Sequence, residues 1–258
     1  SIIFSILVLG IFIFTIYSFF RQKRLSQMKT DFINNMTHEL KTPIASISLV
    51  SQMLSDESVQ FSEASLRRNY KVIADETKRL RLLVEKVLQL SMFDNAQAAN
   101  FKFDELDADV VVAEVASTFQ LKVEAAGGEL ETQLEAEDPI ILADSMHFTN
   151  LINNLLDNAL KYSRPDVAPH LVVSTRNEAK ALKISISDNG LGIKKENLKR
   201  IFDRFYRVHT GNVHNVRGVG IGLAYVAGVV KAHNGTITVD SEYGKGTTFT
   251  ISIPLLSP

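Results

Sequence analysis

His38 and Glu39 stand side by side in the stretch DFINNMTHELKTPIA, residues 31–45, with Thr42 four positions on and Pro43 next. A neutral imidazole offers one nitrogen lone pair and carries one N–H. A histidine that is to be phosphorylated needs solvent access, a base to draw off its ring proton, and local mobility. The carboxylate of Glu39 is a candidate for the base. On a helix, His38 and Thr42 share one face a turn apart.

Three further groups of residues could do chemistry. Asn150, Asn154 and Asn158 are spaced by four, with Lys161 three residues beyond. On a helix they form one polar stripe. Asparagine is a poor helix former, so three in a row are costly unless used. An amide oxygen is a hard, neutral ligand for Mg²⁺ and a lysine can meet phosphate; a plain solvated face is the alternative. Asp188-Asn189-Gly190-Leu191-Gly192-Ile193 follows a strand-like run. Its carboxylate can accept from an exocyclic amine and its glycines permit a tight turn, although DNG is also a common turn sequence. Arg217-Gly218-Val219-Gly220-Ile221-Gly222-Leu223 opens a helix with glycine at every second position. Backbone amides at such an N-terminus suit phosphate, and a hinge is the other reading. The spacing matches neither the P-loop nor the dinucleotide fingerprint. Gly244-Lys245-Gly246-Thr247-Thr248-Phe249 joins two strands. The remaining histidines, His147, His170, His209, His214 and His233, lack paired spacing and a neighbouring carboxylate in the sequence.

The elements that must position these groups begin with residues 1–20, which carry no charge and are followed by Arg21, Lys23 and Arg24. Twenty residues of helix span roughly 30 Å, the thickness of a bilayer core, and basic residues after the run favour a cytoplasmic exit. A signal peptide would carry its positive charges ahead of the apolar run. The run therefore reads as a transmembrane helix in an inner (plasma) membrane, with the rest cytoplasmic. Because the chain starts with Ser, it reads as the C-terminal part of a longer protein. Two heptad stretches follow. Ile33, Met36, Leu40, Ile47, Val50 and Leu54 occupy a and d positions and put His38 at f, away from the seam. Leu66, Tyr70, Ile73, Thr77, Leu80, Val84, Val87 and Ser91 form the second stripe, with Ser62 as its N-cap. The short connection implies an antiparallel helical hairpin, and a symmetric dimer would close its apolar stripe into a four-helix bundle. Residues 95–100, NAQAAN, read as a linker. Beyond it, strands and helices alternate: a strand at 101–106, a helix at 109–126 ended by Gly127-Gly128, strands at 129–134 and 140–143, a helix at 145–162, strands at 171–176 and 182–187, a helix at 220–233, and a closing hairpin from 236–239 and 247–253. This is an α+β layer with helices on one face of a sheet. Residues 208–217 make a polar loop of the kind that serves as an active-site lid. The domains are therefore 1–20, 21–95 and 96–258. The absence of cysteine excludes disulfides and thiolate metal sites, and a net charge of −1 calls for no nucleic-acid partner.

Taken together, HELKTP, NLLDNALKYS, DNGLGI, FDRFYRV, GVGIGL and GKGTTF, in this order, resemble the phospho-acceptor box and the N, G1, F, G2 and G3 boxes of sensor histidine kinases. The resemblance covers roughly residues 21–255. It implies a dimeric hairpin followed by an α/β-sandwich, Bergerat-type ATP-binding domain, with Mg-ATP as substrate. By this resemblance His38 takes the γ-phosphoryl group and Glu39 is the base. Asn158 holds Mg²⁺ with help from Asn154, and Lys161 and Arg204 meet phosphate oxygens. Asp188 reads the adenine amine, with Thr247 close by. Tyr162 and Ile193 line the purine pocket. Gly190 and Gly192 let the base approach, and Gly218, Gly220 and Gly222, leading into Leu223, hinge the lid. Phospho-His38 then passes its group to an aspartate on a separate response regulator. Thr42 matches the position thought to orient water for dephosphorylating that regulator. The alternatives are a phosphatase-biased sensor, a degenerate ATP-binding scaffold without transfer, and a gyrase- or chaperone-type ATPase; the acceptor helix and the membrane run argue against the last.

Overall fold

Helix α1 runs from Ile2 to Leu54 without interruption. Its apolar first part is long enough to cross a bilayer, and no relay element separates that part from His38. We describe a computed structural model, which places residues 2–56, 58, 60–91, 101–206 and 220–256. The chain forms two compact units, Ser1–Val87 and Leu88–Pro258. The expected linker and the 95/96 boundary fall among residues 92–100, outside the described residues, as does the expected lid at 208–217.

In the first unit α1 is followed by α2 (Glu63–Ser91). Ser62 caps α2: its hydroxyl accepts from the Ser65 amide at 3.2 Å, satisfying one of the donors that a helix start leaves open. The helices are antiparallel, because Glu39 on α1 meets Arg79 on α2 at 3.2 Å while the connection lies at residues 55–62. Met36, Val50 and Leu83 are buried along the seam, but Ile33 and Val84, expected there too, stay half exposed in the single hairpin. Pro43 lies inside α1. It has no N–H to give to the carbonyl of Glu39, so one rung of the helix is missing beside the histidine turn.

The second unit contains β1 (Asp104–Asp107), α3 (Ala108–Ala125), β2 (Glu129–Leu134), β3 (Ile140–Ala143), α4 (Ser145–Lys161), β4 (His170–Glu178), β5 (Ala181–Asp188), α5 (Lys195–Leu198), α6 (Gly222–Ala232), β6 (Thr236–Glu242) and β7 (Gly246–Pro254). The main sheet has strand order β2-β4-β5-β7-β6. Only the β2–β4 pair is parallel, so the sheet is mixed. Strict alternation along β4, β5 and β7 sends Leu171, Val173, Leu182, Ile184, Ile186, Phe249, Ile251 and Ile253 to one face. Helices α3, α4 and α6 cover that face. The other face carries hydroxyl ladders such as Ser187–Thr248 at 2.8 Å. This two-layer arrangement is the expected one.

Two expectations are corrected. The strand expected at 101–106 forms only at Asp104–Asp107 and pairs with β3 in a separate two-stranded sheet. Phe101 and Phe103 instead pack against buried rings: the Phe101 ring centre lies 4.6 Å from that of His147, tilted, and that of Phe103 lies 5.0 Å from that of His233, edge-on. The Lys102 amide donates to the Asp144 carboxylate at 2.8 Å, not to a strand neighbour. The helix expected from Gly220 starts at Gly222, since Gly220 has φ +73°, which a right-handed helix does not allow.

His147 and His233 do have a carboxylate beside them: Asp144, three residues before the first and 89 before the second. Asp144 caps α4, accepting from the His147 amide at 3.0 Å. Its own amide donates to His233 Nε2 at 3.0 Å. His233 Nδ1 lies 2.8 Å from the Val229 carbonyl, so Nδ1 carries the proton and the ring is neutral. His147 Nδ1 meets the Tyr225 hydroxyl at 2.8 Å. Burial holds both histidines below their ordinary value. Burial alone would raise the Asp144 carboxyl, but the His147 and Lys102 amides and the two nearby histidines hold it low.

A histidine that titrates lower in the folded chain than in the unfolded one contributes stability that is complete above the unfolded value of about 6.5 and is lost as pH falls below it. These two histidines therefore lower the stability of the second unit between pH 7 and pH 5, against an opposing gain from Asp188, whose raised carboxyl takes up its proton in the same range. His147→Gln should be about 1–3 kcal/mol less stable at pH 7 and show a shallower acid slope. Calorimetry across this range checks both; an unchanged slope would show that His147 does not carry the effect.

Candidate active site

The residues singled out from the sequence fall in two places. His38, Glu39 and Thr42 lie on α1 in the first unit. The His38 side chain is exposed, as its f position requires, and Glu39 is half-buried. The Thr42 hydroxyl donates to the His38 carbonyl at 3.3 Å, which leaves its lone pairs facing out. An exposed imidazole with a carboxylate next in sequence can accept a group from a ligand that approaches from solvent.

The others gather around the C-terminal ends of α4 and β5 in the second unit. Phe148, Leu151, Ile152, Leu155 and Leu156 are fully buried and fix the roll of α4 about its axis. The asparagine stripe is then held half-exposed along the helix edge. Its members divide. Asn150 hydrogen-bonds the Tyr225 hydroxyl, so its amide is spent inside the fold. The Asn154 Nδ2 group donates to the Asn150 carbonyl at 2.7 Å, which leaves Oδ1 beside the start of α6. A Cβ on Gly222 would lie 2.9 Å from that Oδ1 and 3.9 Å from Asn158 Nδ2. Glycine at 222 thus lets the first turn of α6 sit against the two asparagines. Lys161 ends α4, with Nζ 5.2 Å from the centre of the Tyr162 ring, and Tyr162 is partly exposed.

Asp188 closes β5, and the strand register sets it opposite Thr247. Burial pushes its carboxyl up to about 6, against the opposing effect of amides of Gly190 and Thr247 that donate to it. The Gly190 amide is 2.8 Å away. The loop after Asp188 is pinned on two sides. The Leu191 amide donates to the Tyr162 carbonyl at 2.9 Å and the Gly244 amide to the Leu191 carbonyl at 2.7 Å. The Ile193 amide donates to Ser241 Oγ at 2.8 Å, and that hydroxyl in turn donates to the Gly246 carbonyl at 2.8 Å. Gly192 has φ +65°, and a Cβ there would strike the Glu242 carbonyl. At Gly190 a Cβ would meet the Tyr162 carbonyl at 2.5 Å. Both glycines are thus demanded by the protein's own backbone. Ile193 and Leu223 pack against the core. Phe202 meets Phe249 edge-on at 6.3 Å, and Arg204 follows two residues later, half-buried. Phe205 takes the left-handed conformation, with φ +66°. Gly218 lies outside the described residues.

Sequence reading missed Ser241, Tyr225 and Arg79. The first is an ordinary strand serine and the second one of several apolar residues on α6. Only the register and the helix pairing show what they touch.

Comparison with known proteins gives two family matches. Residues 28–96 match the His Kinase A (phospho-acceptor) domain. Residues 143–257 match the histidine kinase-, DNA gyrase B- and HSP90-like ATPase. Among curated proteins, the sensor protein RprX of Bacteroides fragilis is 57% identical over 256 residues, 99% of this chain and 49% of the relative. The sensor histidine kinase WalK of Bacillus subtilis is 32% identical over 241 residues, 93% of this chain and 39% of the relative. The chain thus spans about half, or less, of the length of these two. Among solved structures, the Acinetobacter baumannii histidine kinase AdeS is 25% identical, with TM-score 0.62 over 85% of this chain and 98% of that one. Histidine kinase ThkA, solved in complex with the response regulator protein TrrA, shares the fold at 20% identity and TM-score 0.61, over 91% of this chain and 64% of that one. With an exposed histidine and its neighbouring glutamate in the first matched region and the asparagine, aspartate and glycine boxes in the second, the chain belongs to the sensor histidine kinases.

Proposed function

We propose that this chain is the transmitter part of a membrane-anchored, homodimeric kinase that phosphorylates its own His38 from ATP and passes the group to an aspartate on a separate response regulator. The observation that carries this reading is the order of the two matched domains on one chain, with His38 exposed on the acceptor helix. In the transfer, a lone pair on one ring nitrogen of His38 attacks the γ-phosphorus. The bond from that phosphorus to the β,γ-bridging oxygen breaks and ADP leaves. Glu39 takes the proton from the other ring nitrogen. Such transfer depends on positioning and charge neutralisation more than on covalent help from the protein.

Asp188 is suited to accept from the adenine amine. Gly190, Gly192, Tyr162 and Ile193 shape the wall around the base, and Thr247 supports Asp188 from the paired strand. Lys161 and Arg204 supply cations for phosphate oxygens. Asn154, whose Oδ1 is not used by the Asn150 contact, and Asn158 have the oxygen ligands that Mg²⁺ prefers. When bound there, Mg²⁺ would neutralise charge on the phosphates. Gly220 and Gly222, leading into Leu223, are the described part of the glycine box that by resemblance hinges a lid over the nucleotide. The uncharged first part of α1, with its basic residues at the C-terminal side, supports a membrane anchor. The wet apolar stripe of the hairpin supports a second copy as partner. The ThkA–TrrA complex supports the regulator as the other. For Thr42, we infer a role in removing phosphate from the regulator, since a hydroxyl one turn from His38 can align water.

Four outcomes are expected of the chain in lipid nanodiscs. With labelled Mg-ATP, wild type should gain an alkali-stable, acid-labile phosphate. His38→Ala should gain none while still binding ATP; label persisting in that variant would place the acceptor elsewhere. ATP affinity should weaken as pH falls through about 6, where Asp188 takes up its proton, up to about tenfold per pH unit. Asp188→Asn should bind ATP about 5- to 150-fold more weakly at pH 8 and lose the part of the pH dependence that the nucleotide's own phosphates do not explain. Titration calorimetry of both proteins across pH 5–8 decides this, and parallel curves would remove Asp188 from the site. Thr42→Ala should leave autophosphorylation near its original rate and slow decay of the phospho-regulator, with Thr42→Ser close to wild type. Equal decay with all three would end the phosphatase reading.

A further inference from the structure

Between α1 and α2, at the level of the acceptor turn, one guanidinium lies between two carboxylates. Arg79 Nη2 donates to Glu39 Oε2 at 3.2 Å, and Nη1 lies 3.8 Å from Glu76 Oε2. All three side chains are only 23–31% exposed. This separates the group from the hairpin's other ion pairs, Arg67–Glu63 and Arg81–Glu85, which lie in solvent within one helix and contribute little. Glu76 Oε2 is buried without a hydrogen-bond partner, so the nearby cation is what offsets its charge. Among the described residues, Arg79 is also the cation that bridges the two helices. It is 40 positions from Glu39 in sequence, so only the pairing of the helices brings them together.

We propose that Arg79 is a positioning residue for phosphoryl transfer to His38, acting through Glu39. This rests on Glu39 being the base. A glutamate on a helix surface has three rotatable bonds, and left alone it would spread over several rotamers. Arg79 holds Oε2 and leaves Oε1 without a hydrogen-bond partner among the described residues, and it is this oxygen that would take the proton the imidazole must release. The geometry divides the carboxylate: one oxygen fixes its orientation and the other does the chemistry. The planar fork of an arginine, which meets Glu39 with one nitrogen and Glu76 with the other, suits this better than a lysine ammonium would. Pro43 sharpens the need. The missing backbone rung at the Glu39 carbonyl leaves this turn less constrained by its own helix, so the contact across to α2 supplies restraint that α1 does not.

The test compares Arg79→Gln in the wild-type chain and in a Glu39→Gln chain, both in nanodiscs, by the initial rate of His38 phosphorylation over a range of ATP concentrations. Glu39→Gln alone is expected to lose about 100-fold or more in rate; full activity there would overturn Glu39 as base and this inference with it. Arg79→Gln is expected to lower kcat about tenfold with KM for ATP changed less than about twofold. In the Glu39→Gln chain the same substitution should cost less than about twofold, because there is no longer a base to orient. Arg79→Lys should recover part of the rate. Glu39→Gln inactive with Arg79→Gln fully active would overturn the inference and leave the base reading standing. An equal loss in both backgrounds would show that Arg79 only supports the fold, and would also overturn it. Should Arg79→Gln melt below the assay temperature, Arg79→Lys carries the same two-background comparison, with a loss confined to the Glu39 chain expected and an equal loss overturning.

Discussion

The roll of α4 is the constraint on which the site in the second unit depends. A helix with five fully buried side chains on one face cannot rotate without exposing them, and each contributes roughly 1.5–3 kcal/mol by burial. The asparagine edge is therefore held in place by the core, not by anything it binds. The same anchoring places the Tyr162 carbonyl where it can accept from the loop after β5. That loop is tied to the β6–β7 turn through Leu191, Gly244 and Ser241. Boxes far apart in sequence are thus joined by backbone hydrogen bonds in one small region, and the glycines within them mark where one stretch of backbone passes close against another.

Most of the architecture was legible from periodicity. Among the described residues, five of the seven strands, and the three long helices of the second unit, lie within two residues of where alternation and helical spacing put them. Burial on one face is what makes both patterns regular. The exceptions are instructive. Phe101 and Phe103 alternate as a strand would, but the rings of His147 and His233 offer aromatic surface, and contact there replaces pairing at a sheet edge. Among the site residues, those carried by a motif were legible by resemblance, whereas the allocation of individual atoms was not. That Asn150 is spent on Tyr225 while Asn154 Oδ1 lies beside Gly222 depends on which helix packs alongside. The histidines of the Asp144–His147–His233 cluster lack paired spacing in the sequence, and only the fold brings His233, 89 residues on, to Asp144. A hydrogen bond between residues so far apart leaves no local pattern.

The two units differ in how much of their own apolar surface they bury. The second closes a single core from three helices and a sheet face. The hairpin does not: Ile33, Ile44, Leu49, Leu82 and Val84 are all about half exposed or more. Two helices have one contact line and cannot cover wide apolar stripes on both. Against that wet background the Glu39–Arg79–Glu76 group stands out as a partly buried polar contact between the helices.

Helix α1 joins its apolar run to His38 through unbroken backbone, with the proline just beyond the histidine and none before it. Phe20 and His38 are eighteen residues apart, five turns and about 27 Å of axis. Such a rod is stiff in torsion, so twist applied at the apolar end is delivered to the histidine turn, and the missing rung at Pro43 is the first place where it can relax. The azimuth of the imidazole is then set by counting residues. One extra residue in this stretch would swing His38 by about 100° around the axis, whereas seven would return it to within about 20°.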